Sequence, residues 1–516
     1  MNDVEIFMKF CTLALIVFLA ALHLRAQSDI DYKQTTLSDV DLYVSNNGII
    51  GYNSKQGMAG LLYPRGSQNQ YLFGSGTWFG AKKRVSNILR NLVIRSYNLS
   101  SGKSWMTPGN MGDPDSLSQE MINQYQVERS TDFTRDGLHA KNQMPPWSLW
   151  KTAESDESGI YVPTIDKRNS AVYPQGVAMV SDEMFHSRYH DSNLARYERS
   201  IERNKKDGYP LGLQFDEKIF TWKNSPLHSS IIVQKTITNS STDTLFDCYI
   251  ACVFDPDIRF SNNLKSFQND NIRSINTDNT QVFFAWTNTD QGEQGKNFGY
   301  LMAAYLETPA INNDSLRTSK SYNHRAPISE QIGTYSVKLY TSVGSGLSID
   351  DYTFITEKDS TSYVINIDIR ALLCTGSFTL LPGQSTRIAY CISIVDSLNG
   401  KEPEGSNDDI PIILKKLQQI QQVYSTVSDY TLKQQETIDR ILAPNPANTT
   451  VIINSSEQHA ITIQAISVLG EIFPVEYSVL SAESLQCSIA HLPQGYYTLI
   501  LSSPTQSYSY PLHVIR

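Results

Sequence analysis

The sequence predicts an all-β protein of β-sandwich, immunoglobulin-like modules. A short amphipathic helix is expected before a C-terminal β-sandwich. Three observations predict this. Apolar runs alternate at period two and are cut every few residues by Gly, Pro, Asn or Ser. Aromatic residues reach 10%, with 28 Tyr and 19 Phe, side chains that suit a half-buried pleated surface. Helical periodicity is confined to two stretches.

The first element is an export leader. Phe10 to Leu22 is a thirteen-residue apolar run, short for a bilayer span of about 20 residues and right for a signal-peptide core. Lys9 precedes it and Leu24-Arg25-Ala26 follows, which predicts cleavage between Ala26 and Gln27. Asp3 and Glu5 spoil the basic start, and the stretch from Met8 reads as a cleaner leader. Cys11 lies inside the run, which argues against a lipid anchor. No later run is apolar for about 18 residues, so no transmembrane helix is expected.

The body follows. Residues 41–81 carry short extended runs, with Asn47-Gly48 as a turn signal. From Leu213 the alternation sharpens: QFDEKIFTWK, then SSIIVQKTITN, the polar turn SSTDT, and LFDCYIACVFD. Two alternating runs about a short polar loop predict an antiparallel hairpin. Further strands are expected at Gln281–Trp286, Tyr300–Leu306, Ser336–Tyr340, Tyr363–Ile369, Gly376–Leu380 and Arg387–Val395. Residues 182–204 are polar and predict a surface helix or ordered loop. In 408–424, Ile410, Ile413, Leu414, Leu417, Ile420 and Tyr424 share one helical face, with Asp408, Asp409 and Pro411 at its start. A linker is expected at 427–440. The predicted organisation is a signal peptide at 1–26, a β-rich region at 27–205, a β-sandwich region at 206–400, helix and linker at 401–441, and a terminal module at 442–516.

Charge excludes one class. Lys+Arg 43 against Asp+Glu 52 gives −9, which argues against nucleic acid as a partner. Removing the leader leaves Cys248, Cys252, Cys374, Cys391 and Cys487, an odd and sparse set that makes no disulfide framework. Cys374 and Cys391 nonetheless flank Pro382-Gly383 symmetrically. A two-residue hairpin there would oppose them within disulfide range, against an alternative of two buried free thiols.

Motifs of chemistry are few. HExxH, CxxC, GxSxG and GxGxxG do not occur. Gly74-Ser75-Gly76 with Gly80 and Lys82 misses phosphate-loop spacing and reads as turns. His186 and His190, beside Asp182 and Asp191, would share a helical face as metal ligands. Asp255 and Asp257, with Asn262, Asn263, Asn269 and Asp270 nearby, suit calcium, which takes six to eight oxygens. The plainer reading is a polar loop, and no catalytic, cofactor or metal residue is assigned. Of the tryptophans, Trp147 and Trp150 form the densest aromatic spot. Exposed, they would stack on sugar rings, but core packing is the simpler use.

The terminal module carries Pro444-Asn445-Pro446-Ala447, Leu469-Gly470 and Leu492-Pro493-Gln494-Gly495-Tyr496-Tyr497, and ends His513-Val514-Ile515-Arg516. Strands are expected at Thr450–Asn454, Ala460–Ser467, Tyr477–Leu480, Gln486–Ile489, Tyr496–Ser502 and Pro511–Ile515. The segment resembles the type A C-terminal sorting domain of bacterial type IX secretion. The resemblance covers about a seventh of the chain. It implies passage through the Sec translocon to the periplasm, then the type IX machinery, then the surface or exterior of a Gram-negative bacterium. Cargo of this class is released or attached to surface polysaccharide, an implied further partner. Blocks such as LYVSNNGIIGYN and FDPDI resemble large uncharacterised surface proteins with the same terminal module. Asp115-Ser116-Leu117, Asp243-Thr244-Leu245, Asp314-Ser315-Leu316, Asp359-Ser360-Thr361 and Asp396-Ser397-Leu398 match the O-glycosylation site of such bacteria.

The expected function is a non-enzymatic binding or structural role at the surface. A glycan-binding or glycan-processing protein and a hydrolase with a dispersed site are the alternatives.

Overall fold

The computed structural model describes residues 29–132, 153–155, 161–163, 181–224, 226–260, 266–277, 280–311, 326, 328–341, 351–358, 362–396, 401–438, 442–443, 447–454, 462–467, 471–481, 484–502 and 507–516. The chain divides into two compact units. The body comprises residues up to 131, 181–322 and 326–424; the other unit comprises 132–180, 323–325 and 425–516.

Two antiparallel sheets form the body. The first runs Tyr32–Gln34, Asp41–Ser45, Leu61–Leu62, Asn69–Val85, Leu245–Phe260, Ile369–Leu380, Ser336–Thr341, with Ile88–Arg95 also on Asn69–Val85. The second runs Tyr363–Ile367, Asp270–Asn276, Gln281–Thr287, Tyr300–Glu307, Ser385–Val395, Ser230–Asn239, Leu213–Thr221, Glu183–His190, Thr107–Pro108. Strands from before and after residue 206 share both sheets. Period-two alternation sends Ile250, Cys252 and Phe254 of the first sheet and Phe283, Tyr305, Ile388 and Tyr390 of the second into one core. Phe254 meets Phe283 and Tyr390 edge-on, at centroid distances of 5.1 and 5.7 Å.

Both outer faces are covered at their centres. On the first sheet, the helix Asp351–Thr356 lays Tyr352 and Ile355 over Trp78, Val93, Ala251, Val253, Leu372 and Cys374. On the second, the helix Ile410–Ile438 buries Ile413, Leu417, Ile420 and Tyr424. The Tyr424 hydroxyl accepts from Gln234 Nε2 at 3.2 Å and donates to Glu307 Oε2, which fixes the helix on that sheet. That covering explains why Ser230–Asn239 and Ser385–Val395 are largely buried on both faces.

The hairpin expected about SSTDT, and the one considered at Pro382-Gly383, are instead arches between sheets. Ser240–Thr244 joins Ser230–Asn239 of the second sheet to Leu245–Phe260 of the first. Leu381–Gln384 carries Ile369–Leu380 of the first sheet back to Ser385–Val395 of the second. The second arch is a type II turn: Gly383 has φ +76° and the Gln384 N–H donates to Leu381 O at 3.0 Å. Its twist does not continue a two-residue hairpin.

Two more expectations are corrected. Residues 182–204 are neither a surface helix nor a loop at their start. Glu183–His190 is a strand with every residue buried except Arg188, and Ile201–Asp207 is a short helix between a Ser200 cap and Gly208. The polar side chains hid the strand because they are satisfied inside: Glu183 accepts from Thr36 N and Oγ1 at 2.8 and 2.6 Å. The terminal helix also runs through the expected linker to Ile438, since no Gly or Pro stops it.

The terminal module is a sandwich of two four-stranded sheets. One runs Leu442–Ala443, Thr450–Asn454, Ser484–Ser488, Glu476–Ser481; the other runs Ile472–Pro474, Thr462–Ser467, Gly495–Ser502, Ser507–Val514. Val451, Ile453, Leu485 and Cys487 face Ile463, Ala465, Leu499 and Leu512 in its core. All six expected strands are present, with ends displaced by at most four residues. The chain end is fastened: Ile515 N donates to Ala447 O at 2.9 Å. The Arg516 guanidinium donates to Asn448 Oδ1 at 3.0 Å and to the carbonyls of Ile489 and Ala490 at 3.1 and 2.9 Å.

Candidate functional site

Alternation also builds the one acidic cluster found among the described residues. In the strand Leu245–Phe260, Ala251 and Val253 face outward, and Asp255 and Asp257 continue that face. In Ile369–Leu380, Leu372 and Cys374 face outward, Arg370 continues that face the other way, and Asp368 directly precedes the strand. The register pairs Phe254 with Ala371, so the next steps bring Arg370 and Asp368 beside Asp255 and Asp257. The three carboxylates offer oxygens all within 4.8 Å of one another.

Arg370 Nη1 lies 2.7 Å from Asp255 Oδ1 and contacts Asp368 Oδ1. The Tyr97 hydroxyl donates to Asp255 Oδ2 at 3.1 Å, and Gln70 Nε2 to Asp257 Oδ2 at 3.4 Å. Asp270 Oδ2 accepts the Ile258 N–H at 2.9 Å. Burial pushes the Asp255, Asp257 and Asp270 carboxyls up against the pull of the arginines, Asp257 to about 7. Gly74, expected in a turn, lies within the strand Asn69–Val85, where a Cβ would stand 2.7 Å from the Tyr97 ring. The glycine lets Tyr97 reach Asp255. Gly76, Gly80 and Lys82 lie in the same strand.

Of the calcium set read from sequence, Asp255 and Asp257 are brought together and Asp270 is close. Asn269 is exposed, and Asn262 and Asn263 lie outside the described residues. Asp368 and Arg370 were missed. Their signal is Asp-x-Arg at period two in a strand, legible only once that strand is known to lie beside Asp255.

His186 and His190 do not form a metal pair. They sit four residues apart on a strand, about 13 Å along it. The His186 ring lies between Glu128 Oε2 at 2.8 Å and Asp216 Oδ2 at 3.0 Å. Burial alone would lower its pKa; the two carboxylates outweigh it and raise it to about 9. His190 is lowered to about 4 by burial. Asp182 accepts the Lys223 N–H, and Asp191 accepts the N–H groups of Leu211, Gly212 and Leu213.

Cys374 and Cys391 cannot pair. Cys374 lies under the helix Asp351–Thr356 on the outer face of the first sheet. Cys391 opposes Ile232 and Ala304 in the second sheet, on the face turned from the core. All five described cysteines are buried and free, and burial holds those at 252, 374, 391 and 487 at about 12. Trp78, Trp105, Trp222 and Trp286 are buried, as core packing requires. Trp147 and Trp150 lie outside the described residues, as do Ala26, Gln27, Pro444, Asn445, Pro446, Leu469 and Gly470. Leu492 is buried in the terminal module, Gly495 opens a strand, and Tyr496 is 64% exposed, stacked on His513 at 4.2 Å.

No curated protein matches the chain. Among solved structures, a polysaccharide lyase matches at 10% identity with a TM-score of 0.19, over 60% of this chain and 34% of its own. A protein described as a kojibiose phosphorylase from human microbiome matches at 8% identity with a TM-score of 0.25, over 53% of this chain and 24% of its own. Scores this low establish no shared fold. The chain thus spans about a third and a quarter of these two proteins. Residues 442–514 match the family model of the secretion system C-terminal sorting domain. The compact terminal sandwich is therefore a sorting domain, and it marks the chain as a type IX secretion substrate.

Proposed function

We propose that this protein is exported through the Sec translocon and the type IX machinery and acts outside the cell by binding or as a structural component, not as an enzyme. The sorting domain at 442–514 carries the export half of this reading. The leader with its Ala26–Gln27 cleavage site supplies the first step. The engagement of the reactive groups supports the non-enzymatic half. The thiols are buried, His186 is clamped between carboxylates, and Asp191 is bound to backbone amides. A catalytic base or nucleophile needs reach to a substrate.

The test joins residues 442–516 to an inert secreted reporter in a bacterium with this machinery, and separately screens the purified body. The reading expects the reporter outside the cell, and no turnover of glycan, peptide or ester substrates. A reporter left in the periplasm removes the export half. Substrate turnover abolished by a single side-chain change establishes the hydrolase alternative. Glycan-array binding lost on Trp147→Ala or Trp150→Ala establishes the glycan alternative as the specific function.

A further inference from the structure

We propose that the hairpin tip Arg84–Arg90 docks on an anionic lipid surface, with Ile88 and Leu89 entering the headgroup layer and the basic side chains around them meeting lipid phosphates. The tip stands clear of its sheet. Leu245–Phe260 pairs with Asn69–Val85 only as far as Phe246 opposite Lys82. Past that point the two hairpin strands pair with each other alone, up to Val85 opposite Ile88. Ser86 and Asn87 close the ribbon with φ of +47° and +66°, the positive pair of a type I′ turn. That turn continues the strand twist and holds the tip in one conformation, so little ordering is left to do on docking.

The tip is amphipathic. Ile88 is 54% exposed and Leu89 46%. Directly opposed residues share a face, so Leu89 lies beside Arg84 on one side of the ribbon. On the other side Ile88 lies two residues from Arg90. The helix Ile201–Asp207 widens the patch. A Cβ at Gly208, which ends it, would stand 2.5 Å from Val85 Cγ2, and Lys83 Nζ donates to Pro210 O at 2.8 Å. The helix adds Arg203, Lys205 and Lys206, all exposed, and Ile201 at 44%. Lys82 and Lys83 are matched by Asp247 and Asp243, and Arg199 takes Asp207, which leaves Glu202 as the helix's other carboxylate. Arg84, Arg90, Arg203, Lys205 and Lys206 form no ion pair with any described residue. These unmatched cations gather about one hairpin of a chain whose net charge is −9. Cations alone would suit an acidic polysaccharide, which gives an exposed aliphatic tip nothing to enter. Aliphatic side chains ringed by cations suit a lipid surface, where apolar burial and attraction to phosphate add.

The proposal goes beyond the surface role above, and its test does not depend on the route of export. Vesicle co-sedimentation supplies that test, with the chain from Gln27 on, so that the apolar leader is not what binds. Vesicles of phosphatidylglycerol and phosphatidylcholine in equal parts are compared with phosphatidylcholine alone. The expected result is binding to the mixed vesicles only, weakened severalfold between about 100 and about 500 mM salt. Arg84→Glu with Arg90→Glu should weaken it at least about tenfold, since one basic residue near an anionic surface is worth about fivefold. Ile88→Ser with Leu89→Ser should also weaken it about tenfold. All four side chains are exposed, so both variants should keep the wild-type Tm. If either does not, the single changes Arg84→Gln and Leu89→Ser serve. No binding to the mixed vesicles, or binding untouched in both variants, overturns the proposal. Binding that needs the arginines and not Ile88 and Leu89, with heparin bound equally well, overturns it in favour of an acidic polysaccharide.

Discussion

The Gly383 N–H donates to the Asn239 carbonyl at 2.7 Å, which bonds the two sheet-crossing arches to each other. Asn239 N–H donates back to Gln384 O at 2.8 Å. Its side-chain amide donates to Leu380 O at 3.0 Å and Asp243 O at 2.8 Å, and its Oδ1 accepts from Ser241 N and Oγ. One buried residue thus satisfies the polar backbone at both turns, where a hairpin ladder would otherwise have done so.

Asn239→Ala is expected to destabilise the body by about 2–3 kcal/mol, because it leaves buried carbonyls without donors. Urea unfolding checks it: the midpoint should fall while the slope stays constant. An unchanged midpoint would show that water replaces the amide.

His186 makes stability depend on pH. Its folded pKa is raised to about 9 from 6.5, by Asp216 and Glu128 acting against burial. A raised pKa gives stability fully present below about 6.5 and lost as pH rises through about 9. The loss is on the order of 3 kcal/mol. Denaturation midpoints between those pH values should fall in the wild type and stay flatter in His186→Gln.

The five described thiols should be unreactive in the native chain and all reactive once it is denatured without reductant. Mass spectrometry after alkylation counts them. A fixed pair at Cys374 and Cys391 would leave three reactive thiols and contradict the two-sheet placement.

The strands were legible because apolar alternation reports burial directly, in the terminal module most of all. What joined them was not. SSTDT and LPGQ have the composition of hairpin loops, and nothing local says that the next strand enters the opposite sheet. Glu183–His190 was hidden because burial there rests on hydrogen bonds made by Glu183 and His186 to residues distant in sequence. Asp255 and Asp257 drew attention as neighbours in the chain. Asp368 and Arg370 join them only through the register of two strands more than a hundred residues apart, which no spacing rule contains.

Arg516 should hold the sorting domain closed. Removing its guanidinium in Arg516→Ala frees the carbonyls of Ile489 and Ala490, an expected loss of about 1–2 kcal/mol for bonds near solvent. Hydrogen exchange on the full chain checks it. Amides of Gly495–Ser502 and Ser507–Val514 should exchange faster while the body is unchanged.

The most direct measurement is the location of a chain lacking residues 442–516. The account predicts that it crosses the inner membrane and stops in the periplasm, protected from protease added to intact cells, while the full chain is exposed or released. A truncated chain that reaches the exterior as efficiently as the full one would contradict the central claim.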